Sequence, residues 1–289
     1  MRQPFIDRRS LTKQALQAAV RVRGKAGLDQ INPICIFDVC EKLSVMVRFT
    51  DINMEGMYDR SSRPRIHLSS LRPLPRRVFT CGHELGHHEF GHGSTIDEMK
   101  EDADTLQTDD PDEFLVNAFS AFMLMPIVGL RGAFARRQSA MAATDDITMF
   151  GVACNFGVGY ATLVSHLAYG IGEIPSVRAK QLLKSSPKSI KRKLLGADVP
   201  GPLVIADRHW SARAVDVEVN TTLLVPTGAK VEGNVLQAAG SCPSGSLFKA
   251  VRPGIGRIQL VEGNIQFVRV APKNYVGLAR YRHLEDDDV

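Results

Sequence analysis

Residues 79–92 read Phe79-Thr-Cys-Gly-His83-Glu84-Leu-Gly-His87-His-Glu-Phe-Gly-His92. Inside lies H-E-x-x-H, the pattern of zinc-dependent hydrolases, at His83, Glu84 and His87. On a helix, residues four apart are about 40° apart in angle and about 6 Å apart along the axis. His83 and His87 therefore project from one face and suit one metal ion. Glu84 is turned about 100° from His83, so its carboxylate reaches a water at the metal's open position rather than the metal. Gly82 and Gly86 lie in the same helix, each costing about 1 kcal/mol relative to alanine. They predict that a neighbouring backbone, of a sheet or of a second helix, comes close.

A catalytic zinc usually has three protein ligands and an open fourth position. His92 does not fit the longer H-E-x-x-H-x-x-G-x-x-H pattern, because position 90 is Phe and position 93 is Gly. His88 and His92 are expected to be accessory or exposed. The other candidate is Glu113. It opens a predicted helix over Asp112–Met125, with Pro111 at its start and Pro126 closing it. That helix is apolar on nearly every side and therefore buried. An acidic group at its mouth needs a partner, which a metal would supply. Asp110-Pro-Asp-Glu113 also fits a capping box. Spacing alone leaves ligand and cap equally open.

These residues resemble the ImmA/IrrE family of metallopeptidases. The matching pieces are Phe79-Thr-Cys-Gly-His83-Glu84-Leu-Gly-His87 and Glu113-x-x-x-Asn117-x-Phe119-Ser-x-x-x-Leu124-Met125-Pro126. Val116 and Ser120 stand where alanine is more usual in the family. Asp38–Val47 is similar to its helix-strand entry. The resemblance spans roughly residues 10–170. It implies a compact helix-sheet peptidase domain with His83, His87 and Glu113 as zinc ligands. It also implies an intracellular role, with some members acting on transcriptional repressors.

The fold class expected is α+β. A zincin-like peptidase core is expected over residues 1–140, built from a small sheet, the H-E-x-x-H helix and the glutamate helix. Its first helix starts at Ser10 and ends near Gly24. Short strands at Val45–Phe49, Gly56–Tyr58 and Arg65–Ser69 precede the metal helix. Arg65–Ser69 runs directly into that helix, and its edge is expected to accept an extended substrate by main-chain pairing. Residues 141–200 read as a helical, helix-turn-helix-like segment followed by a basic linker. Its second helix carries Tyr160, Thr162, Ser165 and His166 but no Lys or Arg, which is poor equipment for DNA. Seven basic residues lie between Arg178 and Lys193. A solvated helix is the plainer reading of them, and a nucleic-acid or acidic-partner surface the other. Residues 201–289 read as a C-terminal all-β domain with a hairpin turn at Glu262-Gly-Asn264.

The net charge of +5 is too small to argue for nucleic acid unless clustered. Five scattered cysteines without a C-x-x-C pair fit the reducing cytosol. No apolar run is long enough for a bilayer and no secretory h-region is seen, so a cytoplasmic, non-membrane protein is expected. Residues 97–113 are strongly acidic and read mostly as a solvated loop, and Glu285–Asp288 as a disordered tail.

The expected function is an intracellular zinc (Zn2+) endopeptidase. Its substrate would be a specific regulatory protein, such as a transcriptional repressor. Glu84 is the catalytic base, and Tyr58, His67 and His88 are candidates for stabilising the oxyanion. Cys81, two residues before His83, is expected to be a buried filler. The alternative is a non-catalytic regulatory or binding module, antitoxin-like or DNA-associated, built on a peptidase core. The intact Glu84 favours the enzyme, since a core kept only for binding has no chemical need of a base.

Overall fold

A computed structural model describes residues 7–97, 108–210 and 213–284. Most of the acidic loop and the acidic tail lie outside them. The chain is α+β. It opens with α1 (Arg8–Lys25), capped by the Asp7 carboxylate, and α2 (Ile36–Lys42). Three short strands follow: β1 (Met46–Thr50), β2 (Gly56–Asp59) and β3 (Arg65–Ser69). Then come α3 (Leu74–Phe90), β4 (Thr95–Asp97) and α4 (Pro111–Leu124). Helix α4 is buried along its apolar length. Arg23 of α1 closes its C-terminal end from a fully buried position. Its guanidinium donates to the carbonyls of Met123 at 2.7 Å, Asp29 at 2.7 Å and Asn32 at 2.6 Å. These bonds replace the water that the charge has lost.

Beyond α4 the chain is helical, with α5 (Ile127–Arg136), α6 (Asp146–Phe156) and α7 (Tyr160–Ser165). A π-helical turn, His166–Gly170, extends α7. Gly157 ends α6 in the left-handed conformation, and the two helical segments meet at 101°. The second carries buried Tyr160, Leu163, Val164, His166 and Leu167. Two further helices follow, α8 (Ser176–Leu182) and α9 (Pro187–Leu195).

The remainder is strand: β5 (Leu203–Ile205), β6 (Val215–Glu218), β7 (Thr222–Val225), β8 (Lys230–Glu232), β9 (Leu236–Cys242), β10 (Gly245–Ala250), β11 (Gly254–Gln259), β12 (Ile265–Ala271) and β13 (Gly277–Leu278). Two four-stranded sheets have orders β5-β7-β10-β9 and β6-β12-β11-β8. The expected turn at Glu262–Asn264 joins β11 to β12. β13 leaves these sheets and pairs with β1, giving a five-stranded sheet of order β13-β1-β3-β2-β4. Leu203, Ile205, Leu224 and Ala279 pack into the same core as α1–α4.

The strand order corrects one expectation. β3 is flanked by β1 in parallel and by β2 in antiparallel register. Its backbone groups are taken up inside the sheet, so no substrate can pair with its edge. Among the described residues, the outer strands are β4 and β13.

Candidate metal centre

Pro75 lies in the first turn of α3, where a missing N–H costs nothing. Gly91 stops the helix with φ of 73°, and the chain folds back. The His92 amide then donates to the His87 carbonyl at 3.0 Å. This return brings the His92 ring to His87, with their Nδ1 atoms 2.9 Å apart.

Helix α4 presents the acidic side of the site. The Asp110 carboxylate caps it, accepting from the amides of Asp112 at 2.9 Å and Glu113 at 3.4 Å. The Glu113 carboxylate lies against the histidines, with Oε2 3.6 Å from His83 Nε2 and Oε1 3.6 Å from His87 Nε2. The two Nε2 atoms are 3.1 Å apart. One ligand-type atom from each of the three residues falls within 4.8 Å of the other two. Helix α4 can come this close because α3 has no side chains at Gly82 and Gly86. A Cβ on Gly86 would stand 3.0 Å from Val116 Cβ and 3.1 Å from Phe119 Cδ1, and one on Gly82 would stand 2.5 Å from Ser120 Oγ. The neighbour predicted by the glycines is therefore the second helix.

The chemistry of this donor set fits a metal. His83 Nδ1 lies 2.9 Å from Asn117 Oδ1, an acceptor, so its proton is on Nδ1 and its Nε2 lone pair points to the cluster. In the matching tautomer, His87 donates from Nδ1 to His92 and offers its Nε2 lone pair too. Two lone pairs and a carboxylate then converge, an arrangement that a divalent cation stabilises. Two nitrogens and one oxygen match a catalytic site with one position left open. Glu84 is fully buried beside this cluster in sequence. A Cβ on Gly56 of β2 would stand 2.5 Å from its Oε1.

Asn117 and His92 hold the outer nitrogens of the two histidines; His92 takes the accessory place expected of it, whereas the sequence assigned Asn117 no role. The i, i+4 spacing of Glu113 and Asn117 was the available sign for Asn117. Other candidates sit elsewhere. Tyr58 Oη bonds His88 Nδ1 at 2.8 Å, and the Tyr58 side chain is buried in the sheet. A groove of about 1010 Å³ opens at His83, Glu113 and Asn117, and its lining includes none of Tyr58, His67 or His88. Cys81 is fully buried, with its Sγ 3.7 Å from that of Cys40, and burial pushes its thiol well above the ordinary range. It is a buried filler on the inner face of the metal helix, as expected.

Residues 40–167 match the family model of the IrrE N-terminal-like domain, a peptidase family of class M78. This region belongs to the ImmA/IrrE family. No match is found among curated proteins. The IrrE-like domain thus runs from α2 to the π-helical turn. It contains the whole cluster, and the match suggests a metallopeptidase-type function. The three cluster residues are the ones that the family resemblance implied as ligands.

Proposed function

We propose that this protein is a zinc-dependent endopeptidase that cuts a specific regulatory protein, such as a transcriptional repressor, in the cytoplasm. The observation that carries the reading is the convergence of His83, His87 and Glu113 beside a buried glutamate on the same helix. A zinc ion held there would polarise a peptide carbonyl and lower the pKa of a water. Glu84 takes a proton from the attacking water and passes it to the leaving amine. Asn117 and His92 keep the two imidazoles in the tautomer that presents Nε2.

Among the described residues, no single helix is long and apolar enough to cross a membrane. Two features speak against direct DNA binding. Of the seven cations between residues 178 and 193, three are engaged inside the chain: Arg178 with the Thr144 carbonyl, Lys191 with the Gly201 carbonyl and Lys193 with Asp146. Tyr160 and His166, which a DNA-reading helix would have to present, are buried.

The test uses the native protein and Glu84→Gln. Proteins captured by the substituted chain are identified and offered to both. The reading expects cleavage by the native chain, loss of cleavage in Glu84→Gln with zinc retained, and loss of zinc in Glu113→Ala. Cleavage that survives Glu84→Gln with zinc still bound would sink the assignment of Glu84 as the general base.

A further inference from the structure

The groove that opens at the cluster is much longer than the cluster needs. From His83 and Asn117 it follows the first turns of α3 and passes the turn between α6 and α7. It ends against β5, β6 and the segment between them. Its volume of about 1010 Å³ is at the top of the ~300–1,000 Å³ that small-molecule pockets occupy. Leu74 and Phe79 on α3, Pro202 and Val204 around β5 are half-buried or exposed along it.

The carboxylates Glu55, Asp216 and Glu218 in the lining are matched within the chain, as is Lys191. Glu55 accepts from Arg76 at 2.7 Å, and Asp216 from Arg269 at 2.7 Å. Glu218 pairs with Arg77, and Lys191 donates to the Gly201 carbonyl. Asp110 caps α4, and Arg213 lies over the Trp210 ring. Lys188 stands exposed at the rim. Away from Lys188 and Arg213, a charged side chain entering this track would lose water without gaining a counter-ion, whereas an apolar one gains by burial.

The geometry points to this groove as the binding track for an extended, apolar-rich polypeptide segment, with Leu74 and Val204 as specificity-determining residues. The C-terminal strands are then one wall of the recognition site. That the bound segment is also cut rests on the peptidase reading above, whereas the binding itself does not. The wall is held to the metal helix by the Arg77–Glu218 pair, so recognition and metal binding share one rigid element.

Binding and cutting are measured separately. Zinc-loaded full-length Glu84→Gln protein is titrated into fluorescein-labelled short peptides rich in Leu and Phe, in Asp and Glu, or in Lys and Arg, by fluorescence anisotropy. The apolar peptide should bind at least about tenfold more tightly than either charged one. Val204→Asp and Leu74→Asp, each added to Glu84→Gln, should remove that advantage with zinc content unchanged. Leu74 and Val204 are both half-buried, so either variant decides if the other does not fold. Equal binding of the three peptides, or full apolar affinity in the folded variants, overturns the assignment. Tight apolar binding with no cutting by the native chain keeps the groove and removes the peptidase reading. Cutting that Val204→Asp and Leu74→Asp, placed in the chain that keeps Glu84, do not slow does the reverse.

Discussion

His87 Nδ1 lies 2.9 Å from His92 Nδ1, across the left-handed turn at Gly91. Only one of these nitrogens can carry the shared proton. When His87 uses Nε2 for a metal, its Nδ1 donates and His92 accepts, with the second His92 nitrogen 3.7 Å from Asp112. His92 is thus a positioning residue that fixes the tautomer and ring angle of His87. Partners of this kind are typically worth about 10–100-fold in metal affinity. His92→Ala should therefore weaken zinc binding by that factor while keeping one zinc per chain at saturation. A competitive chelator titration reads this directly, and unchanged affinity would return His92 to a bystander.

Gly56 predicts a separation between metal binding and catalysis. An alanine Cβ there would stand 2.5 Å from Glu84 Oε1 and 2.6 Å from Thr80 Cγ2, far inside contact distance. The flexible end of Glu84 is the part that must give way. His83, His87 and Glu113 are not among the atoms met. Gly56→Ala should lower kcat by at least about tenfold, since a general base contributes ~10²–10⁴-fold and depends on its placement. Zinc stoichiometry should stay at the native value. Loss of zinc instead would place Gly56 in the support of the ligands.

The parts visible in the sequence were those with a short period or a fixed spacing. His83 and His87 sit four residues apart on one helix with Glu84 beside the first, and Gly82 and Gly86 announced the close neighbour. β11 and β12 alternate and are joined by a turn-forming Gly263, so both strands could be read. β9 could not. Its Gln237-Ala-Ala-Gly-Ser241 has neither alternation nor β-branched residues, and its strand exists because β10 pairs with it. β13 is two residues long and owes its conformation to β1, more than two hundred positions away. Edge or interior position is likewise a property of the assembled sheet, and Arg65–Ser69 carries no mark of it. The choice between cap and ligand for Glu113 needed the rotation of α4 against α3, which no local pattern encodes.

The Arg77–Glu218 ion pair ties the metal helix to β6, with side-chain exposures of 3% and 14%. Removing one partner of a buried pair leaves the other charge uncompensated, which costs about 3–5 kcal/mol. Arg77→Met keeps the apolar packing over the Phe49 ring, where the guanidinium now lies 5.2 Å from the centroid. It should lower unfolding stability by roughly 3 kcal/mol, the low end of that range because Glu218 retains some water. Adding Glu218→Leu should restore more than half of the loss. Urea titrations of the two single variants and the double variant give the coupling. Additive losses would mean that the pair does not act as a unit.

His166 makes stability depend on pH in a defined direction. It is fully buried, with Nε2 3.1 Å from the Met125 carbonyl at the end of α4. Burial disfavours the imidazolium and lowers its pKa from 6.5 to about 4, against the smaller opposing effect of that hydrogen bond. Between these values the unfolded chain binds a proton that the folded chain refuses. The contribution is therefore complete above pH 6.5 and lost as pH falls through about 4. At about 1.4 kcal/mol per pH unit, its full size is roughly 3 kcal/mol. His166→Gln keeps a donor for the Met125 carbonyl and removes the titration. Its stability should fall less steeply than that of the native chain on acidification through this window, with metal ions removed from both by a chelator. Parallel losses in urea titrations would show that His166 does not stay neutral by burial.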